Sequence, residues 1–100
     1  MKIDPRKPQH TFSKHAADFG ISGTWNPTNS LLLEQAIQNH VASPQVQKIS
    51  GTYRGAVQVT HLLDPVTNLW VAVDALDNFV AGWRLSQVQV AHLLSSGNIQ

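Results

Sequence analysis

An α+β domain is the fold class this sequence predicts: N-terminal helices packed on one face of a small antiparallel sheet, a meander, followed by a short C-terminal helix. Three observations carry the expectation. Apolar residues recur at helical spacing as far as Ser43. From Gln47 to Ser86 the spacing changes to two. A run led by serine and ended by glycine then closes the chain at helical spacing again.

Residues 1–9, "MKIDPRKPQ", hold two prolines and little apolar content, and read as a flexible arm or linker remnant, with one domain over residues 10–100. In "HTFSKHAADFG", Phe12, His15 or Ala16, and Phe19 lie three and four apart. That spacing predicts an amphipathic helix of about two turns, capped by Thr11 or Ser13 and stopped by Gly20. "ISGTWNPTN" is a loop by its Gly, Pro and Asn content, with Trp25 expected to plug an edge of the core. "PTNSLLLEQAIQNHVAS" is the clearest helix. Thr28 or Asn29 is its expected cap, Leu32, Leu33, Ala36, Ile37 and either His40 or Val41 form its apolar stripe, and Ser43-Pro44 ends it. "QKISGTYRGAVQVTHLLD", "LWVAVDA" and "FVAGWRLS" supply three or four short strands, joined by the turns "DPVTN" and "LDN". In "SQVQVAHLLSSGNIQ", Ser86 caps a short helix, Val90, Leu93 and Leu94 are its apolar side, and Gly97 ends it.

A chain of 100 residues is near the common domain size and can bury roughly 60–70% of the surface its unfolded form exposes, enough for one core without staples. Charged residues are 13% of the chain, about half the usual share, so Gln, Asn, Ser and Thr must cover much of the surface. The absence of cysteine excludes disulfides, thiolate metal sites and cysteine nucleophiles. No apolar run approaches the roughly 20 residues of a membrane helix, and the N-terminus lacks the apolar stretch of a signal peptide, so an exported domain would be carried by another segment. Net charge is +1, divided between +2 over residues 1–9 (Lys2, Arg6, Lys7, Asp4) and −1 over the remainder (Lys14, Lys48, Arg54, Arg84 against Asp18, Glu34, Asp64, Asp74, Asp77). A nucleic-acid binder with this balance has no broad basic field and must gather a few cations around one place.

Five histidines, His10, His15, His40, His61 and His92, are the main candidates for chemistry. None forms a ligand pair at metal spacing with a carboxylate third member, so no metal or other cofactor is expected. His40 and His92 fall on helices beside apolar stripes and His61 falls in a strand, positions that suit half-buried packing residues. His15 is set apart by Lys14. The adjacent positive charge favours the neutral imidazole, which can accept a proton, and the same lysine can hold a phosphate. A histidine base with nearby cations is what metal-free RNA cleavage requires, yet packing and metal ligation remain open for His15 on spacing alone. Tyr53-Arg54 and Trp83-Arg84 each place an aromatic beside an arginine on a strand. Alternation explains both plainly, as ring inward and arginine outward. The functional alternative is a ring stacked on an unpaired base with the cation on a phosphate. Paired carboxylates, a Gly-rich phosphate loop and a Gly-x-Ser-x-Gly elbow are all missing.

"SKHAADFGIS", "GTYR" and "LWVAVDALDNFVAGWRLS" together resemble the C-terminal nuclease domain of the colicin D family and related toxin modules at the ends of contact-dependent growth inhibition proteins and bacteriocins, in matching order from about Ser13 to Ser86. The resemblance implies the barnase–EndoU–colicin–RelE (BECR) superfamily of metal-independent ribonucleases, whose colicin D-like members cut transfer RNA in the anticodon loop and are blocked by a cognate immunity protein. By the same resemblance His15 is the general base, Lys14 stabilises phosphate, Thr52 and Arg54 position or neutralise it, and Trp83 lies beside the cleft. Tyr53 and Arg84 join them as RNA-binding residues. It also implies a larger delivery protein on the N-terminal side, export as the C-terminal part of that toxin, action in the cytoplasm of the target cell, and an immunity protein acidic at its contact. The sequence departs from the family pattern in two places: His10, Thr11, Phe12 and Ser13 stand where the family is lysine-rich, and Ala81 stands where a serine precedes Gly-Trp. The alternative from the residues themselves is a non-catalytic RNA- or protein-binding module. A weaker one is a DNase with a metal at clustered histidines.

Overall fold

The computed structural model describes residues 1–3 and 14–99. Helices and strands follow in the expected order, and the sheet is built as a meander. Strands β1 (Gln47–Tyr53), β2 (Val57–Leu63), β3 (Leu69–Asp74) and β4 (Phe79–Arg84) pair antiparallel with their neighbours. A fifth, two-residue strand, β5 (Asn98–Ile99), adds parallel to the outer edge of β1, giving the order β4-β3-β2-β1-β5. Each hairpin is closed by residues suited to it. The β1–β2 connection is three residues, 54–56; Arg54 and Gly55 both have positive φ there, and the Ala56 N–H donates to the Tyr53 carbonyl. The Asp64 carboxylate accepts the Val66 N–H in the β2–β3 turn, and Asp74 accepts those of Leu76 and Asn78 in the β3–β4 turn. These donors, Asn78 foremost, hold the Asp74 carboxyl below its ordinary range.

Helix α1 (Pro27–Ala42) starts at Asn26, whose side-chain oxygen accepts the Asn29 N–H while Pro27 takes the first helical position. The cap is therefore Asn26 and neither Thr28 nor Asn29: proline fixes the first turn two to three residues earlier than the apolar pattern shows. Leu33, Ile37 and His40 are the buried stripe, and Leu32, expected inside, is 46% exposed. A run of three leucines does not fix its own register, so the sheet selects the inward residue. His40 is more deeply placed than expected, and its Nε2–H donates to the Leu62 carbonyl at 2.8 Å. Trp25, expected to plug an edge of the core, is 37% exposed. Helix α2 (Gln87–Ser96) matches its sequence signals: Ser86 and Gln89 form a capping box, Gly97 ends the helix at φ 72°, Leu93 is buried and Val90 half-buried. Leu94, by contrast, faces outward, and His92 is exposed.

Alternation along the strands makes two cores, one on each face of the sheet. Leu62, Val71, Val73 and Phe79 pack with Leu33 and Ile37 of α1. Tyr53, Val59, Leu63, Trp70 and Ala72 pack with Leu93 of α2. The helices thus occupy both faces rather than one. The sheet is apolar on each side, and the residues after Arg84 carry α2 back across the face that α1 leaves open. A register shift between Ala72 and Val73, which pair with Ala81 and Phe79, leaves Val80 as the extra residue of β4. The shift lets Phe79 join the α1 core while Ala81 and Trp83 face the α2 side. Residues 1–3 are not a free arm: Lys2 bridges Asn78 in parallel, and Ile3 packs against the α1 core. The remainder of the expected arm, the caps Thr11 and Ser13, Phe12 and His10 lie outside the described residues. Among the described residues no helix is long and apolar enough to cross a membrane.

Candidate active site

Lys14 and His15 are helical and lead into a 3₁₀ segment over Ala16–Phe19, closed by Gly20 at φ 80°; the first part of the expected helix lies outside the described residues. Three contacts fasten this turn to the α1 core and to β4. Ala16 is buried in the α1 core. The Phe19 ring lies against Gly82, where an added Cβ would stand 3.1 Å from both Phe19 Cζ and the Trp70 carbonyl oxygen. The Asp18 carboxylate accepts the Arg84 backbone N–H at 3.0 Å, and the Arg84 guanidinium reaches the Asp18 carbonyl at 3.5 Å. The glycine of the Gly-Trp pair is thus the gap that admits the turn, and the tryptophan is what the turn is pressed against.

So fastened, the turn lays His15 on Trp83. The rings stack with centroids 5.3 Å apart and planes 26° apart. Trp83 in turn meets Trp70 edge-on at 4.6 Å and Tyr53 at 6.3 Å. Trp70 is fully buried; its Nε1–H donates to His61 Nδ1 at 3.0 Å, and His61 Nε2–H donates to the Gly97 carbonyl at 2.9 Å. A row of rings, His61–Trp70–Trp83–His15, therefore runs from the centre of the sheet to its surface. Its inner histidine has both nitrogens occupied. Its outer one is half-buried, with Nδ1 turned to Asp18 Oδ2 at 3.5 Å and Lys14 exposed beside it.

Arg54 lies at the other end of the same aromatic patch. Its guanidinium carbon sits 5.2 Å above the Tyr53 ring centre, and the side chain is exposed at the tip of the β1–β2 turn. The structure thus joins His15, Trp83, Tyr53 and Arg54 through consecutive ring contacts, with Lys14 and Arg84 at the His15 end. Tyr53 is itself buried among Trp70, Trp83 and Arg54, so its ring packs as strand alternation explains and presents no open face. Thr52 stands apart. Its hydroxyl donates to Asn98 Oδ1 at 2.9 Å, its N–H donates to the Gly97 carbonyl, and alternation turns it away from the Tyr53 face. The histidines do not converge: among the described residues no three His, Asp or Glu side chains come together as a metal site. A concavity of about 350 Å³ lined by Val41, Lys48, Thr60, Leu62, Val73 and Asp74 lies on the α1 face, away from His15. Along this patch His15 and Trp83 are half-buried and Arg54 is exposed.

Asp18, Gln89 and Asn98 enter the picture only with the structure. Asp18 carried a visible signal, since three residues separate it from His15 on one helical turn. Gln89 Oε1 lies 3.5 Å from Trp83 Nε1 and also accepts the Ser86 N–H, so the capping box steadies the tryptophan. Asn98 ties β5 to Thr52 and Gly55, through contacts that no local spacing announces.

No curated protein sequence matches the chain. A solved structure described as a ribonuclease from Escherichia coli complexed with its inhibitor protein is similar to it, with a TM-score of 0.80 and 25% sequence identity over 92% of this chain and 99% of that one. The family model of colicin D matches residues 7–93. With that match spanning the turn that carries His15, all four meander strands and most of α2, the chain belongs to the colicin D family.

Proposed function

We propose that this domain is a metal-independent endoribonuclease toxin that cuts transfer RNA, most readily in the unpaired anticodon loop, and that a cognate immunity protein neutralises it. The observation that carries the reading is His15 held on Trp83, with Lys14 beside it and Arg54 across the same aromatic patch. Family membership and the similar ribonuclease support the ribonuclease class. Transfer RNA as substrate rests on the resemblance, and the anticodon loop offers the unpaired bases that an aromatic site can stack on.

On this reading His15 Nε2 takes the proton of a ribose 2′-hydroxyl. The 2′-oxygen forms a bond to the adjacent phosphorus, the bond from phosphorus to the 5′-oxygen of the next nucleotide breaks, that oxygen takes a proton from water, and the His15 imidazolium returns its proton to solvent. Lys14 and Arg54 meet the charge gathered on the phosphorane oxygens. Trp83 fixes the imidazole plane and offers an apolar wall to the base. The products are a 2′,3′-cyclic phosphate and a 5′-hydroxyl. The domain travels as the C-terminal part of a larger exported toxin and works in the cytoplasm of the target cell. Its immunity protein presents carboxylates to Lys14, Arg54 and Arg84 in place of phosphates.

Purified domain incubated with total transfer RNA in a chelator tests the proposal. Discrete fragments ending in 2′,3′-cyclic phosphate are expected. RNA left intact by folded protein, together with harmless expression in bacteria, would instead favour a non-catalytic binding module on the same scaffold.

A further inference from the structure

We propose that Asp18 is a positioning residue for His15, and that Arg84 acts mainly by holding Asp18. The inference rests on the reading of His15 as a proton acceptor. The Asp18 carboxylate Oδ2 accepts the Arg84 backbone N–H at 3.0 Å and lies 3.5 Å from His15 Nδ1. The Arg84 guanidinium adds a contact to the Asp18 carbonyl at 3.5 Å, so the residue is fastened from both its side chain and its backbone. Asp18 and His15 are each about one-third exposed, at 30% and 32% of their side-chain surface, so the pair is sheltered without being cut off from solvent.

An imidazole that is to accept a proton on one nitrogen must carry its own proton on the other. Which nitrogen carries it is set by the partner of the second. A carboxylate at Nδ1 selects the Nδ1–H form, leaves Nε2 as the acceptor, and stabilises the imidazolium once the proton has arrived. Trp83 restricts the ring plane by stacking, but a stacked ring can still turn over by rotation about its Cβ–Cγ bond. Asp18 marks one edge of the ring as the inner one. The two contacts are therefore complementary, the tryptophan setting the plane and the carboxylate setting the edge.

Arg84 acquires a different part from a phosphate ligand. Its main chain and guanidinium are directed to Asp18, which couples the end of β4 to the turn that carries His15. The phosphate-facing cations are then Lys14 and Arg54.

Long-range proton–nitrogen NMR spectra of the ¹⁵N-labelled protein, recorded where His15 is neutral, read the tautomer directly and need no activity. The Nδ1–H form should predominate in the unmodified chain; a predominant Nε2–H form overturns the proposal whatever any variant does. Asp18→Asn keeps an acceptor for the Arg84 N–H and removes the charge. It should lower kcat by about ten- to a hundred-fold with KM within a few-fold, and reduce the Nδ1–H population. Asp18→Glu should recover part of both. Wild-type kcat in Asp18→Asn, or a loss confined to KM, overturns the proposal. Failure of the nuclease reading would show separately, as an unmodified chain that cuts no RNA.

Discussion

His61 and His15 sit at opposite ends of one row of rings, and their surroundings give them opposite properties. Burial pushes the His61 pKa down, and hydrogen bonds to the Gly97 carbonyl and the Thr52 backbone only partly offset it. Its neutral form is also the only one the contacts allow, because Nδ1 must stay bare to accept the Trp70 N–H. A ring whose folded pKa lies below its unfolded value of about 6.5 supports the fold fully above that pH. Its support is lost as pH falls below about 6.5, and the loss levels off once the folded ring itself titrates. The urea midpoint of the protein should therefore fall between pH 7 and pH 5. His61→Leu leaves the Trp70 N–H unpaired, should cost about 1–3 kcal/mol at pH 7, and should flatten this dependence. Midpoints of the two proteins that fall in parallel with pH would contradict it. The residue type and neighbours of His15 marked it in the sequence. Its stacking on Trp83 was not legible, because that contact joins opposite ends of the chain and depends on Gly82 and Phe19 bringing the turn down onto β4.

Among the elements, α2 announced itself most fully. Ser86, Leu93 and Gly97 each do locally what their spacing foretold. β5 announced nothing, because Asn98 and Ile99 are too short to show a period and the strand exists only through its partner. The enabling residue is Gly51. A Cβ there would stand 1.8 Å from the Gly97 carbonyl oxygen, a backbone atom that cannot move without moving the end of α2. Gly51→Ala should therefore destabilise the protein by about 3 kcal/mol or more, at the upper end of overpacking costs. It should also release the Thr52–Gly97 and His61–Gly97 hydrogen bonds together. A denaturation midpoint unchanged from wild type would show that β5 is not held in this way. The α1 stripe was legible in period but not in register, since the leucine run offers several inward faces and the sheet chooses Leu33.

For the whole molecule, the sparse charge becomes intelligible once the cations are placed. Lys14, Arg54 and Arg84 lie around the aromatic patch, while Lys48 belongs to the concavity on the α1 face. With so few phosphate-facing groups, binding to single-stranded RNA should weaken only gently with salt. Among the described residues, a logarithmic slope of about −1.4 follows for the two phosphate-facing cations, Lys14 and Arg54, at roughly −0.7 each, and Arg54→Gln should make it shallower by about 0.7. A slope several units steeper would mean that a basic surface beyond these two residues engages RNA. The two-core sheet supplies the rigidity this small site needs: Trp83 is packed from below by Trp70, and the His15 turn is pinned by Ala16, Phe19 and Asp18. The central claim is that His15 is the proton acceptor, and the single-turnover rate of transfer RNA cleavage by His15→Ala in a chelator, set against its melting temperature, tests it most directly. The account predicts a fall of at least about a hundred-fold at a melting temperature within a few degrees of wild type. A folded variant that cuts within a few-fold of the wild-type rate would contradict it.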